Sequence, residues 1–335
     1  MDARKKILSL MLCALSMAAI CMVLLVAADL YYHNKYLSNA GLNYRGYRGE
    51  VLGKKKADEI RVAVLGSSIV FGYGLKYYEA LPAQLEKSLT PYSDKKITVI
   101  NLAYNAEGVY AFYYNLSDFS YLDYDYVVLY SGELDLAAGK ITTYRHSDPV
   151  FRAFGYMPIL PLIIKEKIML IRSNGNLDKA YREQKVVFKP GAGDKAANAA
   201  FEKALDTEEN IESVIARLGM VKGLDFSVDK LRTDRWAWYI YYSLKAIDFA
   251  LQHKKKVIVI SPPSHNERNR DQQEALRKVL PKEVFYSNLA GSASLNDSDL
   301  FYDGAHLTAK GSKVMADIMA QKIGPYIRAN EAQVK

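Results

Sequence analysis

A chain of 335 residues, half of them apolar, can bury one large core or two smaller ones. Its 45 basic residues outnumber 37 acidic ones, for a formal charge of +8. No Walker loop, zinc-finger spacing or basic-aromatic nucleic-acid motif accompanies that charge, so no nucleic-acid partner is expected, and solvated helices or an anionic surface account for it.

Residues 1–6 carry Arg4, Lys5 and Lys6, and residues 7–28 then run without a charge until Asp29. As a helix those residues extend about 33 Å, enough to cross a bilayer core. A secretory signal core is shorter, about 7 to 15 residues, so the segment is expected to be an uncleaved anchor, with a cleaved signal as the alternative. Basic residues on the short N-terminal side stay cytoplasmic, which sends the bulk of the chain outward, to a periplasmic or extracellular position. Tyr31 and Tyr32 fall at interfacial depth. Both cysteines, Cys13 and Cys21, lie in this segment, so the rest of the chain has neither a disulfide nor a cysteine metal site. Residues 29–59 read as a polar connector in which Arg45, Arg48, the run Lys54 to Lys56 and His33 are solvated.

The organised domain is expected over residues 60–335. Ile60 to Leu65 reads as a buried strand that stops at Gly66, before Ser67 and Ser68. Leu81, Leu85 and Leu89 recur four apart and mark a helix over 78–89 that covers one sheet face. Ile97 to Leu102 is a second strand, followed by a turn at Gly108 and a tyrosine-rich helical stretch. Tyr126 to Tyr130 is a third, leading into SGELDL. Strands alternating with helices predict a parallel sheet with right-handed crossovers, which brings these loops to one carboxyl edge.

From 137 to 233 the alternation breaks, marking a lid or helical insertion. Within it MPILPLIIKEKIMLI, from Met157 to Ile171, is strongly apolar. It reads either as a wall or lid at the mouth of a site, resting on a membrane, or as a helix buried against the main domain. Residues 173–200 read as loop and Phe201 to Leu218 as helix. Trp236 to Gln252 is predicted helical, Val257 to Ile260 is a fourth strand, Val284 to Tyr286 a short fifth, and a closing helix spans about 308–327. His253 beside a lysine run is read as solvated, and His265 as a loop histidine after the fourth strand.

The chemistry is carried by a serine turn at the end of the first strand and by FYDGAHLTAKG near the end of the chain, where Asp303 and His306 stand three residues apart. Serine is unreactive until a base takes its proton, and a histidine oriented by a carboxylate is the usual base. The order of blocks resembles the SGNH, or GDSL-type, hydrolase family. The first block reads GSSIVFGYG, with Ser67 where the family usually has aspartate and Ser68 on the nucleophile. The second, NAEGV, puts Gly108 on the oxyanion glycine, and the last supplies Asp303 and His306. The third departs: SGELDL keeps Gly132 and Asp135 but has Leu134 where the family's oxyanion-hole asparagine belongs.

The resemblance implies an α/β fold of the flavodoxin-like three-layer type, with a parallel five-stranded sheet preceded here by one transmembrane helix. It implies ester hydrolysis through an acyl-serine: Ser68 attacks, His306 takes its proton, Asp303 holds the imidazole, and the backbone N–H groups of Ser68 and Gly108 meet the oxyanion. No metal or organic cofactor is needed. The substrate is an acyl or acetyl ester, on lipid or polysaccharide, in the cell envelope. Two alternatives are an O-acyltransferase that modifies envelope polysaccharide and a noncatalytic envelope-binding protein. Losing one oxyanion donor costs about 2.7 to 4 kcal/mol, so Leu134 implies a substitute donor such as Asn105, an easy ester, or a site that has lost catalysis.

Overall fold

The computed structural model describes residues 3–38, 42–105, 107–130, 148–172, 174, 235–263, 267–289, 292, 298–301 and 306–332. Helix α1 (Ala3–Tyr36) is followed by β1 (Glu59–Leu65), the single turn α2 (Ser68–Phe71), α3 (Leu81–Leu89), β2 (Lys96–Asn101), α4 (Tyr110–Asp118) and β3 (Tyr126–Tyr130). Then come α5 (Pro149–Phe154), α6 (Leu160–Arg172), α7 (Arg235–Gln252), β4 (Lys256–Ser261), α8 (Glu267–Lys278), β5 (Phe285–Asn288) and α9 (Ala309–Ala332).

The five strands form one parallel sheet in the order β2-β1-β3-β4-β5. This is the doubly wound, flavodoxin-like order, in which the direction of winding reverses beside β1 and ligands bind at the carboxyl ends of the strands. Alternation along each strand feeds two cores. On one face Val62, Val64, Val128 and Ile258 pack with Leu85 of α3 and Met319 and Ile323 of α9. On the other, Ala63, Leu65, Val127 and Val257 pack with Phe112 of α4, Tyr242 and Ile247 of α7 and Leu276 of α8. Both faces are covered, which is why the strands read as continuous apolar runs.

Two expectations change. Residues 42–59 are tied into the domain: Leu42, Tyr47 and Arg48 are buried, and Arg48 bridges Asn101 at the end of β2. His33 is also buried, because the last turns of α1 run past the apolar span and dock on the domain, where its ring nitrogens meet the carbonyls of Leu42 at 3.1 Å and Met157 at 2.9 Å. His253 is exposed, as its setting implies. The apolar stretch 157–171 is helical from Leu160 as α6, with Ile164, Ile168 and Ile171 exposed along it. Helix α8 has no apolar periodicity and was not predicted. The loop and helix expected over 175–218 and His265 lie outside the described residues.

Near the sheet's amino edge, Arg61 is buried and donates to the Leu122 and Gly53 carbonyls, both at 2.8 Å, and to Glu59 at 3.1 Å. Burial alone would raise the Glu59 pKa, but the bonds from Arg61 and Thr98 outweigh it and hold the carboxyl down to about 2.

Candidate active site

Ser68 is the first residue of α2, directly after the β1 turn. The turn demands glycine at 66, since a Cβ there would sit 2.4 Å from Val70 Cγ2 and 3.0 Å from the Tyr130 carbonyl. The helical turn closes at once: Gly72 adopts φ 80° and ψ 51°, the left-handed conformation, and its N–H and that of Tyr73 both reach the Ser68 carbonyl at 3.0 Å.

Two side chains remote in sequence hold this turn. Arg48 donates to the carbonyls of Phe71, Gly72 and Leu75, and its guanidinium lies 4.3 Å from the centre of the Phe71 ring. Burial lowers its pKa to about 10, so it remains cationic at neutral pH. Asn101 donates its side-chain N–H to the Val70 and Phe71 carbonyls at 3.2 and 3.3 Å, and its oxygen accepts from Ala103 N–H. Neither was foreseen. Arg48 carries the signature of a solvated charge, and Asn101 is a single polar residue after an apolar strand.

His306 arrives from the opposite end of the chain. Leu307 beside it is 2% exposed and bridges Phe301, while Thr308 N–H bonds the Leu300 carbonyl at 2.8 Å and the Thr308 hydroxyl accepts from Gly311 N–H at 3.0 Å, capping α9. The histidine is thereby fixed immediately before a helix start. Its Nε2 lies 2.9 Å from Ser68 Oγ across 238 residues of chain, and its ring centre is 5.1 Å from that of Tyr73. A base within hydrogen-bond reach of a hydroxyl is the geometry that proton removal requires.

The second block follows β2. Tyr104 N–H donates to the Gly66 carbonyl at 3.4 Å, so this loop runs beside the serine turn. Asn105 comes next, with a buried Oδ1 that has no hydrogen-bond partner among the described residues. Gly108 is buried two residues before α4. Ser67 precedes α2 in extended conformation, and its carbonyl accepts from Phe71 N–H at 2.9 Å. Asp303, and Gly132, Leu134 and Asp135 of the third block, lie outside the described residues. Among the described residues no group of three or more His, Cys, Asp or Glu side chains is arranged to hold a metal ion.

No protein-family model and no curated protein matches the chain. Solved structures similar to it include a candidate lipolytic protein of the G-D-S-L family from Desulfitobacterium hafniense DCB-2, at 11% identity and TM-score 0.41, over 78% of this chain and 98% of that one. A family 3 carbohydrate esterase from Clostridium thermocellum matches at 14% identity and TM-score 0.42, over 81% and 98%. The psychrotrophic esterase EstA from Pseudoalteromonas sp. matches at 12% identity and TM-score 0.39, over 80% and 98%. By their names the first is a lipolytic protein of the G-D-S-L family and the other two are esterases.

Proposed function

We propose that this chain is a membrane-anchored serine ester hydrolase of the SGNH type, acting outside the cytoplasm on an acyl or acetyl ester. The observation that carries the reading is the 2.9 Å contact between His306 Nε2 and Ser68 Oγ at the carboxyl edge of a doubly wound parallel sheet. His306 accepts the hydroxyl proton as Ser68 Oγ attacks the ester carbonyl. Asp303, three residues before it in sequence, orients the imidazole and balances its charge. The backbone N–H groups of Ser68 and Gly108 stabilise the tetrahedral oxygen, His306 returns the proton to the leaving alcohol, and water releases the acyl group by the reverse sequence.

Residues 1–6 are assigned to the cytoplasm, 7–28 to the membrane and 60–335 to the hydrolase domain, with 137–233 as an insertion. Support for the anchor is the apolar helix from Lys5 to Tyr36, whose most apolar window is unburied. A signal sequence near an N-terminus passes the same test; an apolar run longer than a signal core favours the anchor, and the basic residues before the span support the outward orientation.

The test is covalent labelling of the full chain by a fluorophosphonate probe. Labelling of the parent and its loss in both Ser68→Ala and His306→Ala is the expected result. A folded parent that fails to label overturns the reading and returns the chain to a binding role. Product analysis with and without a carbohydrate acceptor then separates hydrolysis from acyl transfer.

A further inference from the structure

Asp29 stands where the apolar stretch of α1 ends, so an α1 that crosses a bilayer carries it at the headgroup boundary. Its carboxylate is buried and engaged by the segment that opens α6 and by His33 of α1. Oδ1 accepts from Ile159 N–H at 3.0 Å and from Leu160 N–H at 2.5 Å, while Oδ2 accepts from the Tyr156 hydroxyl at 2.5 Å and lies 3.2 Å from His33 Nε2. A carboxylate on the first N–H groups of a helix is a cap, and here α1 caps α6 from a distance of 130 residues. Burial and the adjacent carboxylate push the Tyr156 phenol upward, which keeps it a standing donor. Helix α6 therefore starts at the depth where α1 leaves the hydrocarbon.

One exposed face of α6 is apolar. Ile164, Ile168 and Ile171, at i, i+4 and i+7, are 51, 43 and 76% exposed, forming one stripe. Lys167 and Arg172, also exposed, flank it on either side. Phe154 at the end of α5 is 77% exposed, an apolar ring of the kind that interfacial helices bury, and Tyr31 of α1 is 60% exposed, a residue type of the interfacial belt. At 13 residues α6 is about 20 Å long, too short to cross a bilayer.

We propose that α6 is an interfacial helix, its Ile164, Ile168 and Ile171 stripe seated at the acyl-chain boundary of the bilayer that holds α1, with Lys167 and Arg172 at anionic lipid headgroups. Continuity with the anchor selects the bilayer as occupant, and the flanking cations match anionic lipid. The domain is then held at two points, and α6 fixes its height and rotation over the membrane. This inference rests on α1 being a retained anchor and is independent of the serine chemistry.

The experiment uses the full chain in nanodiscs containing phosphatidylglycerol. A bimane label is placed at Ile168→Cys in a Cys13→Ser, Cys21→Ser background, and separately at native Cys13 in a Cys21→Ser background. Spin-labelled lipids quench at shallow or deep positions. The expected result is loss of emission at 168 with the shallow quencher and at Cys13 with the deep one. A quenched Cys13 label beside an unquenched 168 label overturns the inference: red-shifted emission there means open water, and blue-shifted emission means cover by residues 175–234 or by a second copy. If neither label is quenched, the anchor reading has failed and the inference falls with it.

Discussion

The Arg48 guanidinium donates to the Gly72 carbonyl at 2.8 Å, joining the edge of the domain to the glycine that closes the turn begun by Ser68. Arg48 also serves the Phe71 and Leu75 carbonyls, so one planar fork fixes the whole loop after the serine. Replacement by methionine removes the donor from all three, and unsatisfied buried groups cost about 1 to 3 kcal/mol each, with overlap between them. We expect Arg48→Met to lower stability by about 3 kcal/mol in urea unfolding and to slow probe labelling of Ser68. Arg48→Lys keeps the charge without the fork and should fall between the two. Unchanged labelling in a destabilised Arg48→Met chain would show that the clamp serves the fold and leaves the serine alone.

Gly66→Ala tests the turn from the other side. The new methyl overlaps the Val70 side chain, and overpacking of this kind costs about 1 to 3 kcal/mol. Val70→Ala removes the Cγ2 atom at 2.4 Å, so the double variant should recover part of the loss, while the retained Cβ at 2.8 Å and the Tyr130 carbonyl at 3.0 Å prevent full recovery. A double-mutant cycle by thermal unfolding measures the coupling, and strict additivity would rule out the contact as the cause.

The sheet was legible because its first four strands are largely apolar runs ended by a turn residue; Ser68 was legible at the turn after the first of them, and His306 from the Asp-x-x-His spacing before a helix start. What escaped was polar and buried. Arg48 and His33 look solvated in sequence, since burial by partners far along the chain leaves no local pattern. Helix α8 escaped for a related reason: its inner face presents Asn269, Gln272 and Gln273 beside a single Leu276, and Ser261 donates to Gln273, so a search for apolar periodicity finds nothing. The cap that Asp29 places on α6 joins residues 130 apart, and only the folded chain shows it.

Acid should destabilise the domain through Glu59. Its pKa falls from the usual 4.5 to about 2 on folding, so the folded state binds fewer protons than the unfolded chain between those values. The stabilisation is therefore complete above about pH 4.5 and is lost as pH falls toward 2. The shift corresponds to about 3 kcal/mol as an order of magnitude. Glu59→Gln should lower stability at pH 6 and flatten this part of the profile, read by urea unfolding at pH 6 and pH 3. A variant whose stability falls as steeply as the parent's over that interval would assign the acid sensitivity to other carboxyls.

Asn105 is the residue with which to test how the oxyanion is met despite Leu134. It follows Tyr104, whose N–H is bonded to the Gly66 carbonyl, and its side-chain oxygen is buried without a partner among the described residues. If its N–H supplies the missing donor, Asn105→Ala should lower kcat/KM for a simple acetyl ester about 100- to 1,000-fold, the cost of one oxyanion donor. Stability should hold or rise, because the substitution removes a buried polar group without breaking a bond made by that oxygen. Leu134→Asn in the same background should restore part of the rate if residue 134 faces the oxyanion as the family pattern implies. Unchanged turnover in Asn105→Ala, together with a gain in Leu134→Asn alone, would instead describe a site that runs on the two backbone donors of Ser68 and Gly108.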